Sequence, residues 1–502
     1  MTPTRSRIPN FLEEEDKKKT PMVVEKNRRR LRRLWRSACR AVLEYARMAR
    51  AAARLWLLAT PLALAAPLAW TRWDEVLWRY ALWATQAAGP TCVKLAQWAS
   101  SRDDRFPAEF CQRFSRLQDD ARKHEWRATE RALDATLPGW REVLEFAPDK
   151  EPVGAGCVAQ VYKATLLREG PGVGARGDVV AVKVVHPEAR RRIHVDLLLL
   201  KTLAHVVETA FPALKWCSIV DAVEEFSGTL KNQMDMRREA KHLQRFAQNF
   251  QNVKNVRFPL PRPALCSDDV LVEDFVEGES MKDFVERCRR DDSKGPSPAI
   301  RTKLAKIGVD TVCKMIFHDN LLHGDLHPGN ILVTDDGAVT GRPSVCFIDA
   351  GIVVELKPPQ HEHFVQVLGA LMHHDGDKAA RLMIRRQRRS ESRTFFPTEA
   401  DALEAREHFC HTLKTITDTV ADEPFFQNVG AYTTRIFDSA AQSRVRLEGY
   451  FVSTAIAVRV MEGVANALDK DVKIGKLALP WIASSTSSSS SKSPARLWPF
   501  FS

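Results

Sequence analysis

Two short motifs separated by a predicted β-hairpin constrain the fold of this chain more than any other feature. The first, His-Gly-Asp-Leu-His-Pro-Gly-Asn, ends at Asn330, and the second, Asp-Ala-Gly, begins at Asp349. Apolar runs at 331–334 and 345–348, joined by a turn-rich loop, predict two short strands that bring Asn330 and Asp349 face to face. An amide oxygen and a carboxylate placed in this way are typical ligands of Mg²⁺.

Two motifs upstream predict a phosphate-binding sheet. The run Val-Gly-Ala-Gly-Cys-Val-Ala-Gln-Val at 153–161 contains glycines, which let the backbone approach phosphates and adopt positive φ. One hairpin later, Val-Ala-Val-Lys at 180–183 predicts a strand whose lysine reaches nucleotide phosphates. Each motif alone is weak, because small-residue turns and exposed lysines are common. The predicted nucleotide-binding residues are Gly154, Ala155, Gly156, Cys157, Val161, Ala181, Lys183, Glu273 and Val276.

The four motifs occur in the order in which protein kinases carry them. In that template Asp325 is the catalytic residue that accepts or orients the proton of the acceptor, while Asn330 and Asp349 bind Mg²⁺. His323 and His327 could instead be metal ligands; we expect His323 to have a scaffold role, and the role of His327 stays open. The sequence therefore predicts an α+β, two-lobed, protein-kinase-like fold that binds ATP or ADP with Mg²⁺.

Two further elements complete the predicted nucleotide site. A kinase lysine such as Lys183 pairs with a glutamate on a helix between the second and third motifs. Glu239 is the preferred partner and the third predicted catalytic residue, with Glu224 and Glu225 as alternatives. The run at 272–278, Val-Glu-Asp-Phe-Val-Glu-Gly, predicts a strand followed by a hinge whose backbone groups bind adenine.

The region after the Asp-Ala-Gly motif differs from that of protein kinases. The chain passes through only a few residues to Pro358-Pro359, where a helix is predicted to begin. It therefore lacks the long activation segment that docks and orders peptide substrates in protein kinases. This favours a small or lipid-linked acceptor over a protein.

Positive charge is concentrated at the N-terminus. Of the formal net charge of +12, the first 54 residues contribute +10, from 16 Lys/Arg and 6 Asp/Glu. This excludes a nucleic-acid surface spread over the folded body and predicts an anionic membrane lipid as partner of the arm. The uncharged run 55–71 is slightly short of the ~20 residues of a spanning helix. It predicts an inserted or interfacial segment, with a Pro-broken core helix pair as the alternative.

Patterning divides the chain into six segments. The ten cysteines stand singly, which excludes a disulfide framework or zinc ribbon and favours a reducing compartment. The predicted segments are a disordered N-terminus (1–26), the basic arm and apolar segment (27–72), a helical extension (73–148), an N-lobe with inserted helices (149–278), a C-lobe (279–480) and a low-complexity Ser-rich tail (481–502).

The chain resembles the UbiB (aarF-domain-containing, ADCK-like) family of atypical kinases over roughly 85–370. That family has the same catalytic loop and, upstream, a K-x-G-Q helix followed by S-x-R-x-D-x-x-P. Here Lys94-Leu-Ala-Gln97 is followed by such a segment at 101–107, and Leu-Gln-Asp-Asp stands at 117–120. An aminoglycoside- or choline-kinase-like transferase shares the loop but gives no reason for this upstream segment.

The resemblance implies that the extension covers the place where a protein kinase binds peptide, with Lys94, Gln97, Gln233 and Asp235 as cleft residues. It implies a role in ubiquinone or other isoprenoid-lipid metabolism at the mitochondrial inner membrane, with a plastid as the alternative and a biosynthetic complex as a further partner. The rival function is a nucleotide-sensing scaffold without catalysis.

The chain also departs from the family pattern. The K-x-G-Q glycine is Ala96, and glycines at 154–156 replace the family's alanine-rich nucleotide loop. The family's E-x-D motif appears as Gln233-Met-Asp235, so the acidic partner expected for Lys94 is an amide. These departures match a divergent mitochondrial-type member and leave the choice between ATP and ADP open.

Overall fold

The chain is described by a computed structural model. The described residues are 35, 42–43, 45–62, 64–65, 74–100, 108–114, 123–187, 189–211, 219–290, 296–335, 341–385, 396, 398–419, 429–445 and 447–487. The predicted disordered N-terminus, the segments at 101–107 and 117–120 that were quoted for the family resemblance, and most of the predicted tail lie outside them.

Strands and helices are numbered here in chain order from the first helix that is described in full. The strands are β1 (Leu144–Phe146), β2 (Gly154–Ala155), β3 (Ala159–Leu166), β4 (Val179–Val185), β5 (Val256–Arg257), β6 (Val270–Asp274), β7 (Glu279–Ser280), β8 (Leu322–His323), β9 (Ile331–Asp335), β10 (Ser344–Phe347) and β11 (Val353–Val354). The α-helices are α1 (Asp74–Ala88), α2 (Pro90–Ser100), α3 (Ala108–Phe114), α4 (Trp126–Thr136), α5 (Ala189–Ala210), α6 (Ile219–Gln233), α7 (Met236–Asn249), α8 (Met281–Arg290), α9 (Pro298–Cys313), α10 (Pro358–Met372), α11 (Gly376–Arg385), α12 (Glu399–Thr419), α13 (Val429–Gln442), α14 (Gly449–Leu468) and α15 (Ile474–Ser487).

The smaller lobe is built on an antiparallel sheet with strand order β1-β3-β4-β6 and with β2 added against β3. Its central strand β4 is almost wholly apolar, because both of its faces are covered. Val180, Val182 and Val184 are fully buried and pack against Leu133 and Trp140 from the α4 region. Since side chains alternate along a strand, Lys183 points to the opposite face.

Three helices, α5 to α7, are inserted between β4 and the next strands, as the sequence predicts for the N-lobe. Helix α7 begins where the side chain of Asp235 accepts a hydrogen bond from the backbone N–H of Arg237, which is an N-terminal cap. Its apolar residues Leu243 and Phe246 are fully buried. The buried residues therefore hold one face of α7 against the rest of the lobe, and the cap at Asp235 fixes the residue at which the helix begins.

The larger lobe is helical, and α9 packs against α14 and α15 at its centre. Its hairpin strands β9 and β10 pair antiparallel with Phe347 opposite Ile331, and β7 and β5 flank them. A small β-sheet lobe followed by a helical lobe is the protein-kinase-like α+β arrangement that the sequence predicts.

Two sequence-based boundaries differ from the structure. Residues 144–146 were expected to be helical but form the edge strand β1, because Leu144 is buried against the apolar face of the sheet. Helix α15 continues to Ser487, into the predicted tail, since Ile482 is buried and Trp481 hydrogen-bonds Asp310. Trp481 and Ile482 therefore pack with the C-lobe, beyond the predicted boundary at 480.

Among the described residues, one helix has the length and composition of a membrane span. It is α14, and half of its most apolar stretch is buried inside the protein, as is usual for a core helix. In the predicted membrane-associating run, residues 55–62 are helical and continue the helix of the arm. Residues 66–73 lie outside the described part of the chain.

Asn320 joins the catalytic loop to the start of α10, and this contact can be tested. Its φ of +49° is left-handed, its Nδ2 donates to Leu356 O at 2.7 Å, and its Oδ1 accepts from Leu356 N at 3.2 Å. We expect Asn320→Ala to lose both hydrogen bonds and lower the free energy of unfolding by about 2–3 kcal/mol. Asn320→Asp, which keeps the acceptor and tolerates the backbone, should lose less. Denaturant unfolding measures both, and equal stability of Asn320→Ala and wild type would contradict the role.

Candidate functional site

The centre of the site is a buried ion pair between Lys183 on β4 and Glu239 on α7. Lys183 Nζ lies 2.7 Å from Glu239 Oε1, and the two side chains are 14% and 2% exposed. The alternative glutamates lie elsewhere: Glu224 is 3.8 Å from Lys201, and Glu225 lies beside Gly449 of the C-lobe. Glu239 is therefore the partner of the strand lysine, as the sequence predicts.

Lys183 also reaches the Asp-Ala-Gly motif, because its Nζ lies 3.3 Å from Asp349 Oδ2. Burial by itself lowers the pKa of Lys183, but the carboxylates of Asp349 and Glu239 outweigh burial and raise this pKa above its usual range. Burial raises the pKa of Glu239, and the neighbouring Lys183 opposes that rise. One lysine thus links a helix of the small lobe to the hairpin of the large lobe.

Asp349 stands in an unusual backbone conformation that turns its carboxylate into the cleft. Its φ is +60°, and its Oδ1 accepts a hydrogen bond from the N–H of Gly351 at 3.4 Å. The side chain keeps 40% of its surface exposed. Desolvation in the cleft raises the pKa of this carboxyl, but the positive charges of Lys183 and Lys94 outweigh it and hold the pKa below its usual range. Asp349 is therefore an ionised carboxylate that is partly exposed to the cleft.

The catalytic loop is fixed by its own histidine and asparagine. His323 donates from Nε2 to Ile348 O at 3.1 Å, and its Nδ1 accepts from Asp325 N at 3.3 Å. Burial lowers the pKa of His323, which favours the neutral ring that this pattern of hydrogen bonds requires. Asn330 Nδ2 donates to Asp325 O at 3.0 Å, and Asn330 O accepts from Ile348 N at 2.9 Å. The backbone hydrogen bonds between β9 and β10 thus extend to Ile348, the residue just before Asp349.

The metal-ligand interpretation of the two histidines is not supported by their contacts. His327 Nδ1 accepts a hydrogen bond from Gly329 N at 3.1 Å, so it shapes the turn of the loop, as His323 does. Across the part of the chain that the structure describes, no group of three or more His, Cys, Asp or Glu side chains is arranged to hold a metal ion. The donors available in the cleft are the amide of Asn330 and the carboxylate of Asp349, which suit a hard cation such as Mg²⁺ that keeps several waters.

The glycine-rich loop is a β-hairpin over the cleft. Gly154 pairs with Val161 across β2 and β3, and Gly156 N donates to Ala159 O at 2.8 Å. Neither Gly154 nor Gly156 has a positive φ, so the loop does not use the left-handed conformation that glycine permits. A Cβ placed on Gly154 would meet nothing within 4 Å. The glycines therefore leave open space beside the loop rather than allowing a strained turn.

Helix α2 of the N-terminal extension reaches this loop. Gln97 Nε2 lies 4.0 Å from Cys157 Sγ, and Trp98 packs on Phe226 of α6 with ring centroids 5.9 Å apart. Burial raises the pKa of the Cys157 thiol, and the positive charge of Lys94 opposes that rise. Lys94 also acts on Asp349, as described above. The structure thus brings the predicted Lys94 and Gln97 to the mouth of the cleft.

The two residues of the altered E-x-D motif have separate positions. Gln233, the last residue of α6, lies beside the Asp-Ala-Gly motif, because a Cβ on Gly351 would be 3.8 Å from Gln233 Cγ. Asp235 instead caps α7 with its side chain. Asp235 therefore caps a helix, whereas the sequence predicts it among the cleft residues. The cap fixes the start of α7 and so positions Glu239, which lies one turn later.

Glu273 is the residue whose role the sequence misjudged. The sequence predicts that its backbone binds adenine, but that backbone is paired with Ala181 on one side and with Pro261 on the other. Opposite residues share a face of the sheet, so its side chain lies on the face of Ala181 and Lys183. Glu273 is 8% exposed, and its Oε2 has no hydrogen-bond partner among the described residues. Only Val276, beyond the strand, remains in the predicted hinge.

Comparison with known proteins agrees with this geometry. A sequence model of the ABC1 atypical kinase-like domain matches residues 116–383, which is more than half of the chain. The chain belongs to the ABC1 atypical kinase-like family. The matched range includes the glycine-rich loop, the ion pair, the catalytic loop and the Asp-Ala-Gly motif.

Relatives from several organisms resemble the chain beyond this domain. A mitochondrial ABC1 family protein of Saccharomyces cerevisiae is 28% identical over 451 residues, covering 79% of this chain and 66% of the relative. A probable protein kinase UbiB of Vibrio atlanticus is 28% identical over 301 residues, covering 60% and 52%. The chain thus spans somewhat less than two thirds of the length of these relatives. The solved structure of a Mycobacterium tuberculosis protein in complex with erythromycin superposes with a TM-score of 0.47 at 20% sequence identity. The match covers 76% of this chain and 89% of the Mycobacterium tuberculosis chain.

The buried carboxyl of Glu273 predicts a pH-dependent stability. Burial first, and then the negative charge of Glu239, raise the pKa of Glu273 to about 8. Because the folded protein holds this proton more tightly than the unfolded chain, the stabilisation is present below the unfolded pKa and is lost as pH rises through the folded pKa. We expect the free energy of unfolding of nucleotide-free wild type, relative to Glu273→Gln, to fall by on the order of a few kcal/mol between pH 5 and pH 9. Parallel pH profiles of the two proteins in urea unfolding would contradict this.

Proposed function

We propose that the chain is an atypical kinase or ATPase that binds a Mg-adenine nucleotide and supports ubiquinone or related isoprenoid-lipid metabolism at a membrane. The observation that carries the proposal is the meeting of Lys183, Glu239 and Asp349 within one cleft. A lysine held by a glutamate and an aspartate is positioned to contact phosphates. Membership of the ABC1 atypical kinase-like family supports the same conclusion.

The cofactor positions follow from the chemistry of the donors. Asn330 and Asp349 would hold Mg²⁺, and Lys183 would contact the α- and β-phosphates. The bound cation would neutralise negative charge on the phosphates. The open space beside Gly154 would admit the phosphates next to the backbone of the loop. Asp325, whose carboxylate has no hydrogen-bond or ion-pair partner among the described residues, would accept or orient a proton of the acceptor.

The acceptor that the site favours is small or lipid-linked. Helix α2 of the extension contacts the glycine-rich loop through Gln97 and Cys157. On the other side of the cleft, α10 begins at Pro358, soon after the Asp-Ala-Gly motif, so no peptide-docking segment precedes it. The link to ubiquinone rests on relatives that are named UbiB, and a mitochondrial location rests on yeast relatives that are named mitochondrial.

Removal of one charge at Asp349 tests the nucleotide site. We expect Asp349→Asn to weaken Mg-ATP binding by tenfold or more, because a full charge is lost from the cation site, which corresponds to about 1.4 kcal/mol or more. Asp438→Asn, an exposed position on α13, is the matched control and should bind as wild type does. Calorimetric titration at fixed Mg²⁺ measures both. Unchanged affinity in Asp349→Asn would remove Asp349 from the site.

The covered cleft predicts a difference between ATP hydrolysis and peptide phosphorylation. We expect the full chain to hydrolyse ATP, measured with and without anionic vesicles, and to transfer no phosphate to generic peptides, because the extension occupies the peptide position. Asp325→Asn should abolish the hydrolysis while leaving Mg-ATP binding within about twofold, since this residue acts on the proton of the acceptor. Efficient phosphorylation of generic peptides would contradict the covered cleft.

A further inference from the structure

A cavity rich in arginine lies outside the nucleotide cleft, between the arm helix at 45–62 and α5. Its volume is about 390 Å³. Its charged lining residues are Arg47, Arg50, Arg54, Arg191, Arg192 and Asp196. Five positive charges therefore face one carboxylate in a space large enough for a small anion.

The spacing of the arm arginines explains why they converge. Arg47, Arg50 and Arg54 are three and four positions apart, so they share one face of the helix. Ala51, on the same side, is buried and lets the helix lie close to α5. Arg191 and Arg192 complete the cavity from the first turn of α5.

The single carboxylate of the cavity is already engaged. Asp196 is buried, accepts a hydrogen bond from Thr91 Oγ1 at 2.7 Å, and lies 3.9 Å from Arg54. It cannot neutralise five guanidinium groups. Burial is the main cause of the lowered pKa of Arg192, and the positive charge of Arg54 lowers it further.

One arginine also has an unused buried donor. Arg54 Nε is shielded from solvent and has no hydrogen-bond partner among the described residues. A buried donor without a partner is costly, and guanidinium groups bind phosphate oxygens through paired N–H donors. An anion with several oxygen atoms, bound by the exposed guanidinium groups of the cavity such as those of Arg191 and Arg192, would offset the repulsion between them.

The surroundings of the cavity indicate where such an anion comes from. Trp56 and Leu57 follow Arg54 on the same helix and are 68% and 65% exposed. Exposed tryptophan and leucine beside a basic site are typical of segments at a membrane interface. Clusters of Lys and Arg on an amphipathic helix, and basic pockets between transmembrane helices, are recurrent forms of lipid-headgroup site.

We propose that this arginine cavity binds a phosphate-bearing anion, supplied by the headgroup of an anionic phospholipid. The inference deepens the membrane association in the proposed function and rests on that part of it. Nucleotide binding is a separate property, because the cavity shares none of the residues assigned to the cleft. Thr91, which holds Asp196, belongs to α2, so a bound phosphate would also steady the helix that carries Lys94 and Gln97.

The test compares two single-charge variants on the same helix. We expect Arg191→Gln to weaken binding of the full chain to vesicles of phosphatidylcholine with phosphatidic acid by about fivefold, because each basic residue at an anionic surface contributes on that scale. Lys201→Gln, also on α5 but outside the cavity, removes the same charge and should bind as wild type does. Arg191→Lys should retain most of the binding. Vesicle flotation measures all four proteins, and far-UV circular dichroism with thermal unfolding confirms that each is folded.

A second arm of the experiment separates the sources of phosphate. If glycerol phosphate competes with the vesicles in wild type but not in Arg191→Gln, the cavity recognises the phosphate alone. If it does not compete while Arg191→Gln still weakens vesicle binding, the cavity requires the assembled lipid. Equal losses in Arg191→Gln and Lys201→Gln would indicate a general charge effect and overturn the proposal, as would no loss in either. If wild-type protein did not bind Mg-ATP, the proposed nucleotide function would be contradicted. The vesicle-binding result for the arginine cavity would not be affected.

Discussion

The buried ion pair between Lys183 and Glu239 is the contact on which the arrangement of both lobes depends. Removing two charges from water is expensive unless their geometry is good, so this pair requires β4 and α7 to be held in one relative position. The cap on Asp235 fixes where α7 begins, and the alternation along β4 fixes the face from which Lys183 emerges. The same lysine contacts Asp349, so the small lobe, the inserted helices and the hairpin of the large lobe meet at a single ammonium group.

Negative charge exceeds positive charge around that ammonium group. Glu239, Glu273 and Asp349 approach it, while Lys94 is the second positive charge whose field acts on Asp349. The carboxyl groups respond differently to this excess of negative charge. The raised pKa of Glu273 means that it holds its proton more tightly, whereas Asp349 stays ionised. A cleft with this charge distribution is suited to a divalent cation and to phosphates that arrive with it. The extension is therefore part of the electrostatics of the site, since Lys94 stands on its helix α2.

The N-terminal region has two faces with different chemistry. Helix α2 turns Gln97 toward the glycine-rich loop, whereas Thr91 at its start is bonded to Asp196, beneath the arginines of the arm. The cleft and the basic cavity thus lie at opposite ends of one short helix. The arginines of the arm thus lie near the cleft without sharing any residue with it.

The sequence alone determined the residues whose partners are local or follow a fixed spacing. Asn330 and Asp349 are joined by one hairpin, and Lys183 and Glu239 stand on elements whose order and periodicity are readable, because strand alternation and helix capping act over a few residues. Only the tertiary structure decided the rest. Whether Glu273 presents its backbone or its side chain depends on strand register with Ala181, and a shift of one residue reverses the face. The arginine cavity joins positions near 50 and 191, which meet only because α5 packs against the arm helix. Contacts so distant along the chain are set by the packing of whole elements, which no local pattern contains.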